Sequence, residues 1–136
     1  MTAATVYRVV FACVPDQDLN ANARVHHMRR YRKSAQLRQF IGWSAREYAP
    51  AQPFTGPVEV QVSIGWPSRR QRQDPSNVSH CLKAVIDGMT DAGWWPDDTL
   101  VTLLPVRQQV WSEWRDVGGT LYPHGVMTVD VEEVLR

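Results

Sequence analysis

The residues best suited to chemistry lie between Arg69 and Val101. This stretch opens with Arg69-Arg70-Gln71-Arg72, continues through Asp74-Pro75-Ser76-Asn77, and ends in Asp91-Ala92-Gly93-Trp94-Trp95-Pro96-Asp97-Asp98. Carboxylates at such positions can share one metal ion where the fold brings them together. Two adjacent carboxylates, Asp97 and Asp98, repel one another unless a positive charge or water stands between them. Each group also has a plain structural account. Asp74 to Asn77 can be a turn with a helix cap, and Asp97-Asp98 a turn before a strand. His80, Lys83, Asp87 and Asp91 can be the solvent face of a helix, joined by weak pairs.

The segment between the two acidic groups sets their geometry. Val78, Leu82, Val85, Ile86 and Met89 form one apolar stripe at helical spacing. The pattern predicts a helix over Asn77 to Ala92, capped by Ser76 or Asn77 and closed by Gly93 in a left-handed conformation. A helix of about sixteen residues is roughly 24 Å long. Asp74 and Asp98 therefore meet only if the chain after Gly93 folds back along it, and spacing alone leaves this open.

Around this centre the sequence predicts strands at Thr5 to Val14, Val58 to Trp66, Thr99 to Leu104, Val106 to Trp114 and Val126 to Val131. Val58, Val60, Val62, Ile64 and Trp66 alternate with smaller or polar residues, the pattern of a strand with one buried face. A first helix is predicted over Ser34 to Tyr48, and a turn at Asp116 to Gly119. The order β-α-β-α-β-β-β predicts an α+β fold: a mixed sheet of four to five strands with two main helices packed on it. The 136 residues form one domain by this reading, spanning 1–136.

Composition excludes several classes. Hydrophobic residues make up 43% and charged residues 21%, as in ordinary globular proteins. No stretch approaches the ~20 apolar residues of a membrane span. The start of the chain lacks the basic segment of a secretory signal. Cys13 and Cys81 lie far apart and are expected to be buried thiols in a reducing, cytoplasmic compartment. His26, His27 and His124 have no partners at zinc spacing. Trp66, Trp111 and Trp114 are expected in the core. Trp94-Trp95 read either as core or as a stacking platform for an unpaired base.

The net charge of +1 is uninformative, but its distribution is not. Arg24, Arg29, Arg30, Arg32, Lys33, Arg38 and Arg46 fall in a stretch without any acid, and Arg69, Arg70 and Arg72 form a second basic cluster. Acids gather at Asp87 to Asp98 and at Asp130, Glu132 and Glu133. Such segregation suits a polyanion-facing side next to an acidic pocket, or simply a solvated helix face.

The ordered set Asp74-Pro-Ser-Asn77, Lys83-Ala-Val-Ile-Asp87, Asp91-Ala-Gly93 and Asp97-Asp98-Thr-Leu-Val101 resembles the RusA-like Holliday junction resolvases. That family carries a basic loop, Asp-x-Asp-Asn, a helix with Lys and Asp four residues apart, and an Asp-Asp pair entering a strand. The close match covers about a quarter of the chain, and the element order is compatible over most of the rest. The resemblance implies a homodimeric, Mg²⁺-dependent endonuclease (Mn²⁺ being an alternative) that acts on four-way DNA junctions in a bacterial or phage-infected cell. It implies that Asp74, Lys83 and Asp98 are catalytic, and that Asp74, Asp97, Asp98 and Asn77 hold the metal. Arg24, Arg29, Arg30, Arg32, Lys33, Arg69, Arg70 and Arg72 would grip phosphates.

Two departures stand out. Ser76 occupies the position of the second Asp, and Asn77 to Lys83 is three residues longer than the common spacing, as in homologues from actinobacterial phages. Either His80 or Lys83 can take the place of the family lysine. Lys83 is favoured because Asp87 follows it at the family's interval. Ser76 also keeps open a DNA-binding dimer that has lost its metal. A nuclease for flaps or RNA, and an unrelated α+β protein, complete the alternatives.

Overall fold

A computed structural model describes residues 6–111, 115–117, 119–122 and 125–134. The elements are β1 (Val6–Phe11), α1 (His27–Arg46), β2 (Val58–Trp66), α2 (Ser79–Asp91), β3 (Val101–Leu103), β4 (Arg107–Val110), β5 (Arg115–Val117), β6 (Thr120–Tyr122) and β7 (Val126–Glu133). Five strands form the main sheet in the order β1-β7-β2-β3, with β4 also on β2. β7 pairs antiparallel with β1 and with β2, whereas β3 and β4 follow each other along β2 in parallel. The fold is the expected α+β arrangement: a mixed five-stranded sheet with two main helices.

β2 is the spine of this sheet because it pairs with β7 on one edge and with β3 and β4 on the other, and carries an unbroken apolar face. Val58, Val60, Val62, Ile64 and Trp66 are fully buried. They meet Val85 and Met89 of α2, Ile41 and Ala45 of α1, and Val129 and Val131 of β7 in one core. The strand bounds agree with the alternation in the sequence. The buried stripe of α2 agrees as well, with Val78, Val85, Ile86 and Met89 all buried.

Several element boundaries differ from the sequence expectation. α1 begins at His27 rather than Ser34, because its first turns are stabilised locally and not by apolar packing. His26 Nδ1 accepts from the Met28 N–H at 3.2 Å, and the His26 carbonyl accepts from Arg29 and Arg30. The α-helical part of α2 begins at Ser79, after a 3₁₀ turn over Pro75–Val78. Neither Ser76 nor Asn77 caps it: Val78 precedes the α-helix and no side chain bonds its first turn. Likewise Asp98–Leu100 is a 3₁₀ turn, so β3 starts at Val101. An additional hairpin, β5–β6, surrounds the turn expected at Asp116 to Gly119. Asp116 Oδ1 accepts there from the Gly119 N–H at 2.9 Å. Trp114 and His124 lie outside the described residues.

The two helices run in the same direction and touch near their C-terminal ends. A Cβ at Gly88 would lie 2.7 Å from the Arg38 carbonyl oxygen and 2.7 Å from Ile41 Cβ. At Gly42 it would lie 3.5 Å from the Gly88 carbonyl. Past α2, Gly93 takes φ +87°, which turns the chain back as the sequence predicts. Trp94 and Trp95 then enter the core, each 1% exposed. Trp94 donates from Nε1 to the Ala45 carbonyl at 3.0 Å, and Trp95 from Nε1 to Thr90 Oγ1 at 2.7 Å. Their burial settles the pair as core rather than as a stacking platform. Trp66 and Trp111 are buried too.

Cys81 is buried and Cys13 half-buried, with no disulfide between them. Burial pushes the thiols up to about 12 and about 11, respectively, so both stay protonated near neutrality. Among the described residues no helix is long and apolar enough to cross a membrane.

Candidate active site

The route from α2 to β3 decides which acids can cooperate. After the turn at Gly93 and the two buried tryptophans, the chain enters the edge of the sheet beside the start of β2, with Val101 opposite Val58. This return brings Asp98 alongside α2. Asp98, Lys83, Asp87 and Ser79 line one cavity of about 340 Å³, floored by Leu82 and Val101. Lys83 and Asp87 are one helical turn apart, with Nζ 3.6 Å from Oδ2. Arg38 of α1 also reaches Asp87 at 3.9 Å. Lys83 remains free to move, since 77% of its side chain is exposed.

Asp97 does not line that cavity. It caps the turn over Asp98–Leu100, accepting from the Thr99 N–H at 2.9 Å. That backbone bond, helped by the Asp98 and Thr99 side chains, holds its carboxyl below the usual range. Asp91 is likewise engaged. Arg38 grips it with two bonds of 2.7 and 2.9 Å, which lowers its carboxyl and raises the guanidinium. Asn77 is half-buried, and its carbonyl accepts from the Ala21 N–H at 2.9 Å, tying the loop before α1 to the start of α2.

Asp74 lies further along the same sheet edge. It lines a separate cavity of about 390 Å³ together with Arg69, Arg72, Gln73, Val106 and Gln108. The structure thus brings Asp98 and Lys83 to one cavity and places Asp74 in the next, past the end of β3. Among the described residues no group of three His, Cys, Asp or Glu side chains could hold a metal ion. Two carboxylates, Asp98 and Asp87, do share the first cavity. That donor set fits a Mg²⁺ ion that keeps most of its water shell, the common mode for this cation.

Sequence reading did not single out Gln73 or Gln108, yet these two fix the Asp74 segment. Gln108 Oε1 accepts from Trp66 Nε1 at 2.7 Å and from the Gln73 N–H at 3.1 Å. Its Nε2 donates to the Gln73 carbonyl at 2.7 Å. One side chain therefore imitates a neighbouring strand and clamps residue 73 to β4. A glutamine in a short half-exposed strand carries no signal for this role. Gln108→Ala is expected to lower stability by about 2–4 kcal/mol, because it strands the buried Trp66 N–H and breaks two backbone contacts. Denaturant unfolding measures the loss.

The basic residues fall into two groups. Arg29 pairs with Asp18 at 2.7 Å and Lys33 with Asp16 at 3.1 Å. Arg30 donates to the Ala23 carbonyl at 2.7 Å and the Asn20 carbonyl at 3.3 Å, which holds the loop before α1. By contrast Arg24, Arg32, Arg69, Arg70 and Arg72 are exposed and make no ion pair among the described residues.

No curated protein matches the sequence. Residues 14–117 match the family described as Endodeoxyribonuclease RusA, a span that begins just after β1, runs through β5 and includes the residues lining both cavities. The chain belongs to the RusA endodeoxyribonuclease family.

Proposed function

We propose that this protein is a Mg²⁺-dependent endodeoxyribonuclease that hydrolyses branched DNA, four-way junctions foremost, and works as a homodimer in the cytoplasm of a bacterial or phage-infected cell. The observation that carries this reading is the meeting of Asp98, Lys83 and Asp87 in one cavity within the family-matched segment. Mn²⁺ is expected to substitute for Mg²⁺.

Hydrolysis adds a water oxygen to phosphorus and breaks one ester P–O bond. Asp98 would hold the metal, with Asp87 as the second oxygen donor of that cavity. Asp74 would join from the adjoining cavity when DNA draws the sheet edge and the Arg69–Asp74 loop together. Asp97 and Asn77 support the site by fixing the turn and the loop around it. A divalent cation bound there supplies Lewis acidity and a water of lowered pKa. Lys83, mobile beside Asp87, stabilises negative charge gathering on the scissile phosphate. Asp87 keeps that ammonium at the mouth of the cavity. Arg24, Arg32, Arg69, Arg70 and Arg72 are the cations free to grip flanking phosphates. Arg29 and Lys33 are paired with Asp18 and Asp16, while Arg30 holds the loop before α1 through carbonyls and keeps its charge. Two sites related by a two-fold axis suit the symmetry of a four-way junction.

A second reading has its own support. Ser76 replaces a family carboxylate, which favours a dimer that binds branched DNA without cutting it. Incubation with a panel of junction, fork, flap, duplex and RNA–DNA hybrid substrates separates the two. The junction is expected to be cut first. Uniform cutting of all forms contradicts structure selectivity. Affinity is expected to fall by orders of magnitude when salt is raised severalfold, because phosphate contacts release counterions. Lys83→Ala is expected to slow cleavage of bound junction by roughly a hundredfold, more than it weakens binding. If His80→Ala does this instead, the role passes to His80.

A further inference from the structure

α1 and α2 touch at Gly42 and Gly88 but leave a cleft of about 490 Å³ between their N-terminal halves. Arg30, Tyr31 and Ser34 line it from α1, and His80, Lys83 and Asp87 from α2. The Ala21–Asn77 backbone bond ties the loop before α1 to the turn before α2. Lys83 and Asp87 also line the Asp98 cavity, so the two depressions lie on either side of one helical ridge.

The chemistry of the walls selects an occupant. Arg30 keeps an uncompensated positive charge, since its partners are carbonyls. Lys83 adds a second charge that Asp87 balances only in part, at 3.6 Å. Arg38 is already neutralised by Asp91. The cleft therefore carries a positive excess. At its lip stands Tyr31, 68% exposed, a large ring that the fold does not use for packing. Phosphate-attracting cations next to an exposed aromatic ring form the usual platform for single-stranded nucleic acid. A duplex hides its base faces and can offer a cleft between two touching helices only its phosphate rim. A single strand can insert a base.

We propose that this cleft holds one nucleotide of an unpaired DNA strand, its phosphate near Arg30 and Lys83 and its base stacked on Tyr31. The inference rests on the DNA-cleaving reading above and deepens it. Substrate selection then comes from an unpaired nucleotide held across the α2 ridge from the phosphate to be cut.

The test is binding without divalent metal, in EDTA, followed by fluorescence anisotropy. The probes are a short labelled oligothymidylate and a duplex of equal length, with wild type, Tyr31→Ala and Tyr31→Phe. Tyr31 is exposed, so neither variant threatens the fold. Tyr31→Ala is expected to weaken single-strand binding by about ten- to a hundredfold. Tyr31→Phe should keep it, and duplex binding should not change. Unaltered single-strand affinity in Tyr31→Ala overturns the inference, as does an equal loss for duplex and single strand. Either result leaves junction cleavage by the wild type untouched. Conversely, a wild type that shows the Tyr31 effect yet never cleaves DNA would sink the nuclease reading alone.

Discussion

Asp98→Asn is expected to reduce junction cleavage by a hundredfold or more while leaving junction binding equal or tighter. Asp98 is the one member of the acidic pair that lines the cavity with Lys83 and Asp87. Its loss removes a donor from a two-carboxylate site, and charge stabilisation in such a position is worth roughly 10²–10³ in rate. On the proposed function affinity would come from the exposed arginines, which the substitution leaves in place, and one less negative charge near DNA would help them. Asp97→Asn is the natural contrast. Its Oδ1 accepts from the Thr99 N–H, a bond that the amide oxygen of an asparagine can keep. Single-turnover cleavage and binding, measured on the same preparations, distinguish the two. An equal loss on Asp74→Asn would mean that the neighbouring cavities close on one phosphate when DNA is bound.

A marked loss of stability is expected from a side chain at Gly88, where α1 and α2 touch. A methyl group there would lie 2.7 Å from the Arg38 carbonyl oxygen and from two carbons of Ile41. A carbonyl within a helix cannot swing aside as a flexible side chain can, so the helices must separate. Overpacking of this kind costs about 1–3 kcal/mol. In a domain of this size each kcal/mol shifts Tm by roughly 4 °C. The shift should propagate to the site, because α2 carries Lys83 and Asp87 and α1 carries Tyr31. Gly88→Ala is therefore expected to lower Tm by several degrees and to weaken cleavage with it. Thermal unfolding followed by circular dichroism reads the first effect directly. Gly93→Ala tests a separate idea, since its penalty would come from the φ of +87° alone, with open space around the added carbon.

Much of this architecture was legible in the residues, and the reasons differ by element. β2 could be read to the residue because its face is buried along its whole length, so the period of two is uninterrupted. α2 was legible for the same reason at the helical period. The start of α1 was not, because His27 to Lys33 pack little and are held by a histidine cap and loop carbonyls. Gly88 reads as an ordinary weakness inside a helix until the second helix is placed against it. The basic cluster illustrates another limit. Arg24 to Lys33 reads as one positive stretch, yet Asp16 and Asp18 reach across a loop to occupy Lys33 and Arg29. Sequence proximity gave their charge but not their partners.

The acidic groups show where motif and geometry part. The motif names Asp74, Asp97 and Asp98 together. In the folded chain one caps a turn, one lines the Lys83 cavity and one lines the next cavity along the edge. The helix length made this separation foreseeable, since the chain could fold back only as far as β3 allows. Gln108 was beyond sequence reasoning altogether. Its value comes from three hydrogen bonds to residues more than thirty positions away.

The most direct measurement adds Mg²⁺ to a preformed complex of the wild-type chain with a synthetic four-way junction and follows the strands over time. The account predicts strand scission that starts on addition of the cation, is absent in EDTA, and is restored by Mn²⁺. A complex that forms, stays stable, and leaves every strand intact with both cations would contradict it and make the protein a binder of branched DNA.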